Sequence, residues 1–211
     1  MGIHIAFIAA TATRAQLRQA FSATWPTFAV VASEDVFLDA DAVRQWREVQ
    51  EAAGALRSRR GEVLVFRQHG RWATIEDPSY AFAEDEEGVR KLSATLGTRV
   101  VAFVVETAGG CASFCCFDDG KLRRNIFEND APVETDGEPL PEEAGLAADR
   151  FYMDEVEALW NALGLKPNEW LATSVDCEAI CVIGGAPSAG GAAPADAAEC
   201  GTSGRPWWKF W

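Results

Sequence analysis

TRVVAFVVET (98–107), a Gly-Gly break, CASFCCF (111–117), the turn DDGK (118–121) and LRRNIF (122–127) read as three consecutive antiparallel strands. In the first strand Val100, Ala102 and Val104 alternate with Val101, Phe103 and Val105. Both faces are therefore apolar, which predicts a central strand covered on both sides. Asp119-Gly120 is a two-residue hairpin signal. It predicts Phe117 opposite Leu122 and Asp118 opposite Lys121, and so Cys115 with Arg124 and Cys116 with Arg123. A three-residue loop would shift that pairing.

Upstream of this block the chain alternates strand and helix. Residues 2–10 are apolar with β-branched members and read as a first strand. Thr13 is placed to cap a helix whose Leu17, Ala20, Phe21 and Trp25 share one face, ended by Pro26. Phe28 to Ala32 reads as a short strand. Asp39 stands at an N-cap position before a helix to about Leu56, with Val43, Trp46, Val49, Ala53 and Leu56 at inward spacing. Residues 61–77 predict a hairpin reversing at His69-Gly70 and stopped by Asp77-Pro78. Glu84 to Glu87 gather where a helix N-terminus favours negative charge, and Gly97 closes that helix.

Downstream, residues 128–149 hold eight acids, no base, and Pro132, Pro139 and Pro141, which predicts an acidic loop. Tyr152 to Leu163 reads as a helix and Glu178 to Ile183 as a last strand, although Val175 onward could equally continue as helix. Sixteen of the twenty residues 185–204 are Ala, Gly, Pro or Ser, which predicts a disordered linker. It leads into Trp207-Trp208-Lys209-Phe210-Trp211. The expected organisation is one α+β domain over 1–184, a mainly antiparallel sheet with helices packed on it, then the linker (185–204) and an aromatic tail (205–211).

The 211 residues are 48% hydrophobic and 24% charged, with a formal net charge of -13. That balance repels nucleic-acid phosphates and anionic lipid heads and attracts basic proteins. No stretch approaches the ~18–20 apolar residues of a membrane span. The opening MGIHIAFIAATATR lacks a basic n-region, and Ala6 removes the Ser/Thr of a myristoylation motif. Cysteines 111, 115, 116, 177, 181 and 200 lack the spacing of a secreted disulfide framework. Reduced thiols and a cytoplasmic location are expected.

Catalytic signatures are absent from the sequence: no P-loop, dinucleotide fingerprint, G-x-S-x-G or H-E-x-x-H. Only His4 and His69 offer imidazole. Cys111-x3-Cys115 and Cys177-x3-Cys181 could suggest zinc, but residues four apart on one strand lie about 13 Å apart, too far for one ion. Buried core thiols are the expected reading, with no cofactor and no metal. Arg123 and Arg124, with Arg57, Arg59 and Arg60, are expected to pair with the acidic loop rather than hold a separate anion.

The pieces DPSYAF (77–82), LSATLGTRVVAF (92–103), FDDGKLRR (117–124) and DGEPLPEE (136–143) resemble uncharacterised bacterial stand-alone proteins of the toxin-immunity type. The resemblance spans about Trp72 to Leu163 and implies an intracellular binding protein with no catalytic residues to carry over.

A non-enzymatic, acidic protein-binding protein is the expected function, an immunity protein against a basic toxin domain being the specific form. Candidate partner contacts are Glu134, Asp136, Glu138, Glu142 and Glu143 in the acidic segment and Trp207, Trp208, Phe210 and Trp211 in the tail. The alternatives are a cysteine-dependent enzyme or zinc protein, and an adaptor tethered through the tail. The tail could also fold back on its own domain; a single Lys and a single Arg beside it argue against a membrane surface.

Overall fold

A computed structural model describes residues 4–37, 40–52, 61–147, 149–165 and 177–184. The linker and the aromatic tail lie outside these residues. The strands are β1 (His4–Ala10), β2 (Phe28–Phe37), β3 (Gly61–His69), β4 (Trp72–Glu76), β5 (Arg99–Glu106), β6 (Cys111–Asp118), β7 (Lys121–Asn129), β8 (Glu134–Gly137) and β9 (Cys177–Gly184). The helices are α1 (Arg14–Thr24), α2 (Ala40–Ala52), α3 (Glu86–Leu96) and α4 (Met153–Leu163), with a 3-10 turn at Pro141–Glu143.

The fold is α+β. Among the described residues one nine-stranded sheet runs in the order β2-β9-β3-β4-β1-β5-β6-β7-β8, and every pairing is antiparallel. β5 is indeed central, lying between β1 and β6. Its Val100, Ala102 and Val104 join a core with Leu17 and Phe21 of α1 and Val89 and Leu92 of α3. Val101, Phe103 and Val105 join the opposite core with Val156, Leu159, Trp160 and Leu163 of α4. α2 covers the α4 side of β3 and β9, where Trp46 meets Val63, Val65, Ala179 and Cys181. None of the four helices is long and apolar enough to cross a membrane.

Local chemistry sets the boundaries. Thr13 caps α1 through a capping box with Gln16. Asp85 caps α3 by accepting from Gly88 N at 3.0 Å, and its second oxygen accepts from Trp25 Nε1 at 2.7 Å. One carboxylate thus starts α3 and ties it to α1. Gly88 is required where the two meet, since a Cβ there would lie 2.5 Å from the Trp25 ring. On the other face Phe103 sits 5.2 Å from the Phe7 ring, 4.7 Å from Phe114 and 5.8 Å from Trp160, centroid to centroid. Trp72 Nε1 donates to Leu163 O at 3.0 Å, fixing the end of α4 over β4.

Four details depart from the sequence reading. β2 runs to Phe37 rather than stopping near Ala32, because β9 pairs along its whole length. The acidic segment is not all loop: Glu134–Gly137 adds a ninth strand and Pro141–Glu143 makes a 3-10 turn. The β6–β7 pairing keeps Phe117↔Leu122 and Asp118↔Lys121, but a bulge then skips Arg123. Cys116 faces Arg124 and Cys115 faces Asn125. Val49, expected inward on α2, is 60% exposed, while Trp46 is buried.

Phe103→Ala should lower stability by about 3–5 kcal/mol, because the ring is shared by three aromatic neighbours. Val49→Lys should change it by about 0.5 kcal/mol or less. Urea titration of the two variants against the parent chain checks both values.

Candidate functional site

The acidic segment divides into an outward part and an inward part. β8 pairs Glu134 with Phe127, Thr135 with Ile126, Asp136 with Asn125 and Gly137 with Arg124. All four β8 residues are exposed, as is Glu138. Among the described residues no cation lies within ion-pair distance of Glu134, Asp136 or Glu138. Glu142 and Glu143 behave differently. Glu142 Oε1 accepts from Arg99 Nη1 at 3.2 Å. Glu143 accepts from Arg124 Nε at 2.9 Å and Nη2 at 2.9 Å, and from Leu140 N at 2.9 Å. The Arg124 and Glu143 side chains are only 9% and 10% exposed. Arg124 Nη1 also holds Gly137 O at 3.1 Å, so this ion pair staples the end of β8 to the 3-10 turn. Trp207, Trp208, Phe210 and Trp211 lie outside the described residues.

Strand alternation says where the outward acids point. The row Ala6, Val104, Ser113, Phe127, Glu134 crosses β1, β5, β6, β7 and β8 on the side packed by α1 and α3. The row Ile8, Ala102, Cys115, Asn125, Asp136 lies on the same side. α3 packs over β5 and β6 and meets β7 near its start, where Gly120 N donates to Ser93 Oγ at 3.1 Å. Beyond that contact Ser113, Asn125, Phe127 and Asn129 stay half-buried. The result is a shallow strip of sheet with an aromatic and amides on its floor and Glu134 and Asp136 along its rim. Exposed Glu86, in the first turn of α3, stands on the other side, near enough to help raise the Cys115 thiol pKa after burial.

A second cluster closes one end of the same side. His4, Glu106, Cys111 and Asn129 form one cross-strand row. His4 Nδ1 lies 2.9 Å from Tyr80 Oη and also pairs with Glu106 Oε2. Glu106 Oε1 accepts from Ala108 N at 2.7 Å. Tyr80 has φ +64, a left-handed conformation uncommon for an aromatic residue. Asp77 holds that loop: its carboxylate accepts from Phe82 N at 2.7 Å, Ala83 N at 2.9 Å and Ser79 Oγ at 2.9 Å.

Electrostatics define what this cluster can do. Burial, then the nearby Asp77 charge, pushes the Glu84 carboxyl up to about 7. Its Oε1 is buried with no hydrogen-bond partner among the described residues. Burial, then Glu106, Glu84 and Asp77, pushes the Tyr80 phenol to about 12. Burial, then Glu84 and Glu106, pushes the Cys111 thiol to about 12. A carboxylate holding an imidazole is a familiar acid–base arrangement. Here burial holds the neighbouring thiol and phenol in their protonated forms, which leaves the cluster without an activated nucleophile.

The other thiols are also inert by position. Cys111 and Cys115 lie on the α1/α3 side of β6, Cys116 on the opposite side, and Cys177 and Cys181 under α2. All five are buried, and Cys111, Cys115, Cys116 and Cys181 form no disulfide among the described residues. Burial raises the pKa of Cys115, Cys116 and Cys181 as well. No group of three or more His, Cys, Asp or Glu among the described residues is placed to hold a metal. Cys200 lies outside the described residues.

No family model, curated protein or solved structure matches this chain.

The structure leaves Glu134, Asp136 and Glu138 exposed, while the open sheet strip and the His4–Tyr80–Glu106 cluster were not read from the sequence. Asp77-Pro78 marked the strand end, yet nothing local joins His4 to a carboxylate 102 positions away. That meeting comes from β1–β5 pairing.

Two opposed pH effects follow. Folding raises Glu84 from 4.5 to about 7, so its contribution is complete below 4.5 and is lost as pH rises through 7. Burial, then Arg67, lowers His69 from 6.5 to about 4, so that contribution is complete above 6.5 and is lost as pH falls through 4. Glu84→Gln should raise Tm at pH 8 and leave it nearly unchanged at pH 4; thermal melts at both values check this. In a Cys200→Ser background, a disulfide thiol reagent at pH 7.5 should modify the remaining five cysteines only as fast as the protein unfolds.

Proposed function

We propose that this is a non-enzymatic protein-binding protein that receives a basic partner domain on its open, acid-rimmed sheet strip, as an immunity protein receives a toxin. The single observation that carries this reading is the placement of Glu134 and Asp136. Both stand on the strip side of β8, exposed and without a cation of their own among the described residues. The interior carboxylates Glu142 and Glu143 already have arginine partners, which leaves the outward acids to act between molecules.

Charge supports the same direction. The chain carries -13 overall, which speeds encounter with a cationic surface and repels nucleic acid. The strip offers what an interface centre uses: one half-buried ring, Phe127, among amides, inside a charged rim. Glu142 and Glu143 contribute indirectly, by fixing β8 in place. The buried thiols of Cys111, Cys115, Cys116 and Cys181, in no disulfide among the described residues, suit a reducing compartment, and we assign the protein to the cytoplasm. Raised thiol pKa values weigh against a cysteine nucleophile.

The test is a charge reversal at Glu134, Asp136 and Glu138 to lysine. Wild-type protein, immobilised at low salt, should retain one predominant basic protein from the cells that make it. The triple variant should bind that purified partner at least about tenfold more weakly, with an unchanged Tm. Affinity unaffected by the reversal would eliminate the acidic rim as the binding surface.

A further inference from the structure

We propose that the partner engages by strand addition: a basic extended segment pairs with the open edge of β8, extending the nine-stranded sheet. This rests on the reading of the acidic rim given above and names the kind of surface that the rim selects.

Among the described residues β8 is the last strand of the sheet and pairs with β7 alone. A terminal strand leaves a row of backbone donors and acceptors facing outward, which an extended chain can complete. Its side chains add a pattern. Glu134 and Asp136 are two residues apart and on the strip side, while Thr135 falls on the other side. Positions i and i+2 of a strand lie about 6.5–7 Å apart, and so do those of any strand laid beside it. A partner with Lys or Arg at alternate positions would therefore set one cation beside each acid at cross-strand distance. A cluster of cations on a helix or loop would satisfy the charge but not this spacing.

The same acids decide against a second copy of this chain. Two β8 edges brought together would oppose Glu134 and Asp136 with carboxylates, and like charges in cross-strand pairs are destabilising. The edge is thus closed to itself and open to a basic strand. Its length is limited by Gly137, whose φ is +83 and where a Cβ would come within 2.2 Å of Arg123 O. Arg124 holds the Gly137 carbonyl, so the strand end does not fray when the outer edge is occupied. At the opposite end of the sheet β2 has its two acids, Glu34 and Asp35, at adjacent rather than alternate positions of the sequence, and the exposed side chains Val30 and Val31 there are apolar.

The experiment compares two cyclic hairpin peptides of identical composition on the full chain at low salt. One alternates lysine and threonine along its outer strand; the other places the lysines in one block. Binding is measured by titration, and amide hydrogen exchange is followed by NMR. The alternating peptide should bind at least fivefold more tightly and slow exchange at residues 134–137. Glu134→Gln with Asp136→Gln should abolish the difference between the peptides. Equal binding without slowed exchange at 134–137 would overturn strand addition while leaving the acidic-rim reading standing. Slowed exchange at β2 instead would also overturn it. Binding by neither peptide would remove both.

Discussion

The constraint on which the structure depends is that β5 is apolar on both faces. A strand with Val100, Ala102 and Val104 on one side and Val101, Phe103 and Val105 on the other must be covered twice. Each valine and Phe103 contributes about 1.5–3 kcal/mol when fully buried, so leaving either side open would forfeit much of the core. α1 and α3 cover one side and α4 the other. Antiparallel sheets commonly leave a face to water. Among the described residues a margin remains uncovered on the α1/α3 side, beyond the reach of α3 along β7 and β8. The open strip is what remains after the centre has been closed.

Ionic contacts then shape that margin. The Arg124–Glu143 pair is nearly removed from water, and the charges are matched by bidentate geometry and further hydrogen bonds to Leu140 N and Gly137 O. Removing either partner would strand the other. The pair exists because a bulge skips Arg123 and turns Arg124 toward the α4 side. Arg123 stays outside, 56% exposed and 3.6 Å from Asp118. A single extra residue therefore separates a structural arginine from a surface one. Acids within a few positions of each other divide similarly, Glu142 and Glu143 inward and Glu134, Asp136 and Glu138 outward.

The end of the strip gathers unbalanced charge. Asp77 is satisfied by backbone amides and Ser79, and Glu106 by Ala108 N and His4, but Glu84 Oε1 has no partner among the described residues. Burying a carboxyl this way keeps it protonated up to about pH 7. That cost sits beside a strained Tyr80 and a half-exposed His4, at the same end as the β5–β6 turn. Strain and an unpartnered buried carboxyl are offset by the covered core next to them.

The sequence by itself determined the α+β class and the elements other than β8 and the 3-10 turn. Alternation marked β5, Asp119-Gly120 marked the β6–β7 turn, Thr13 and Asp85 sat at helix starts, and Gly97 and Gly164 closed helices in left-handed conformations. These signals are local, carried by residues within one turn or one hairpin, so they are legible in order. Only the tertiary structure decided the rest. β9 inserts between β2 and β3, drawing β2 out to Phe37; β1 brings His4 to Glu106; and β8 acquires its strand from pairing to β7. The acidic segment announced its charge but not which acids would be consumed internally. That division depends on where Arg99 and Arg124 arrive, which is set by register across the sheet and a bulge whose position no local pattern specifies.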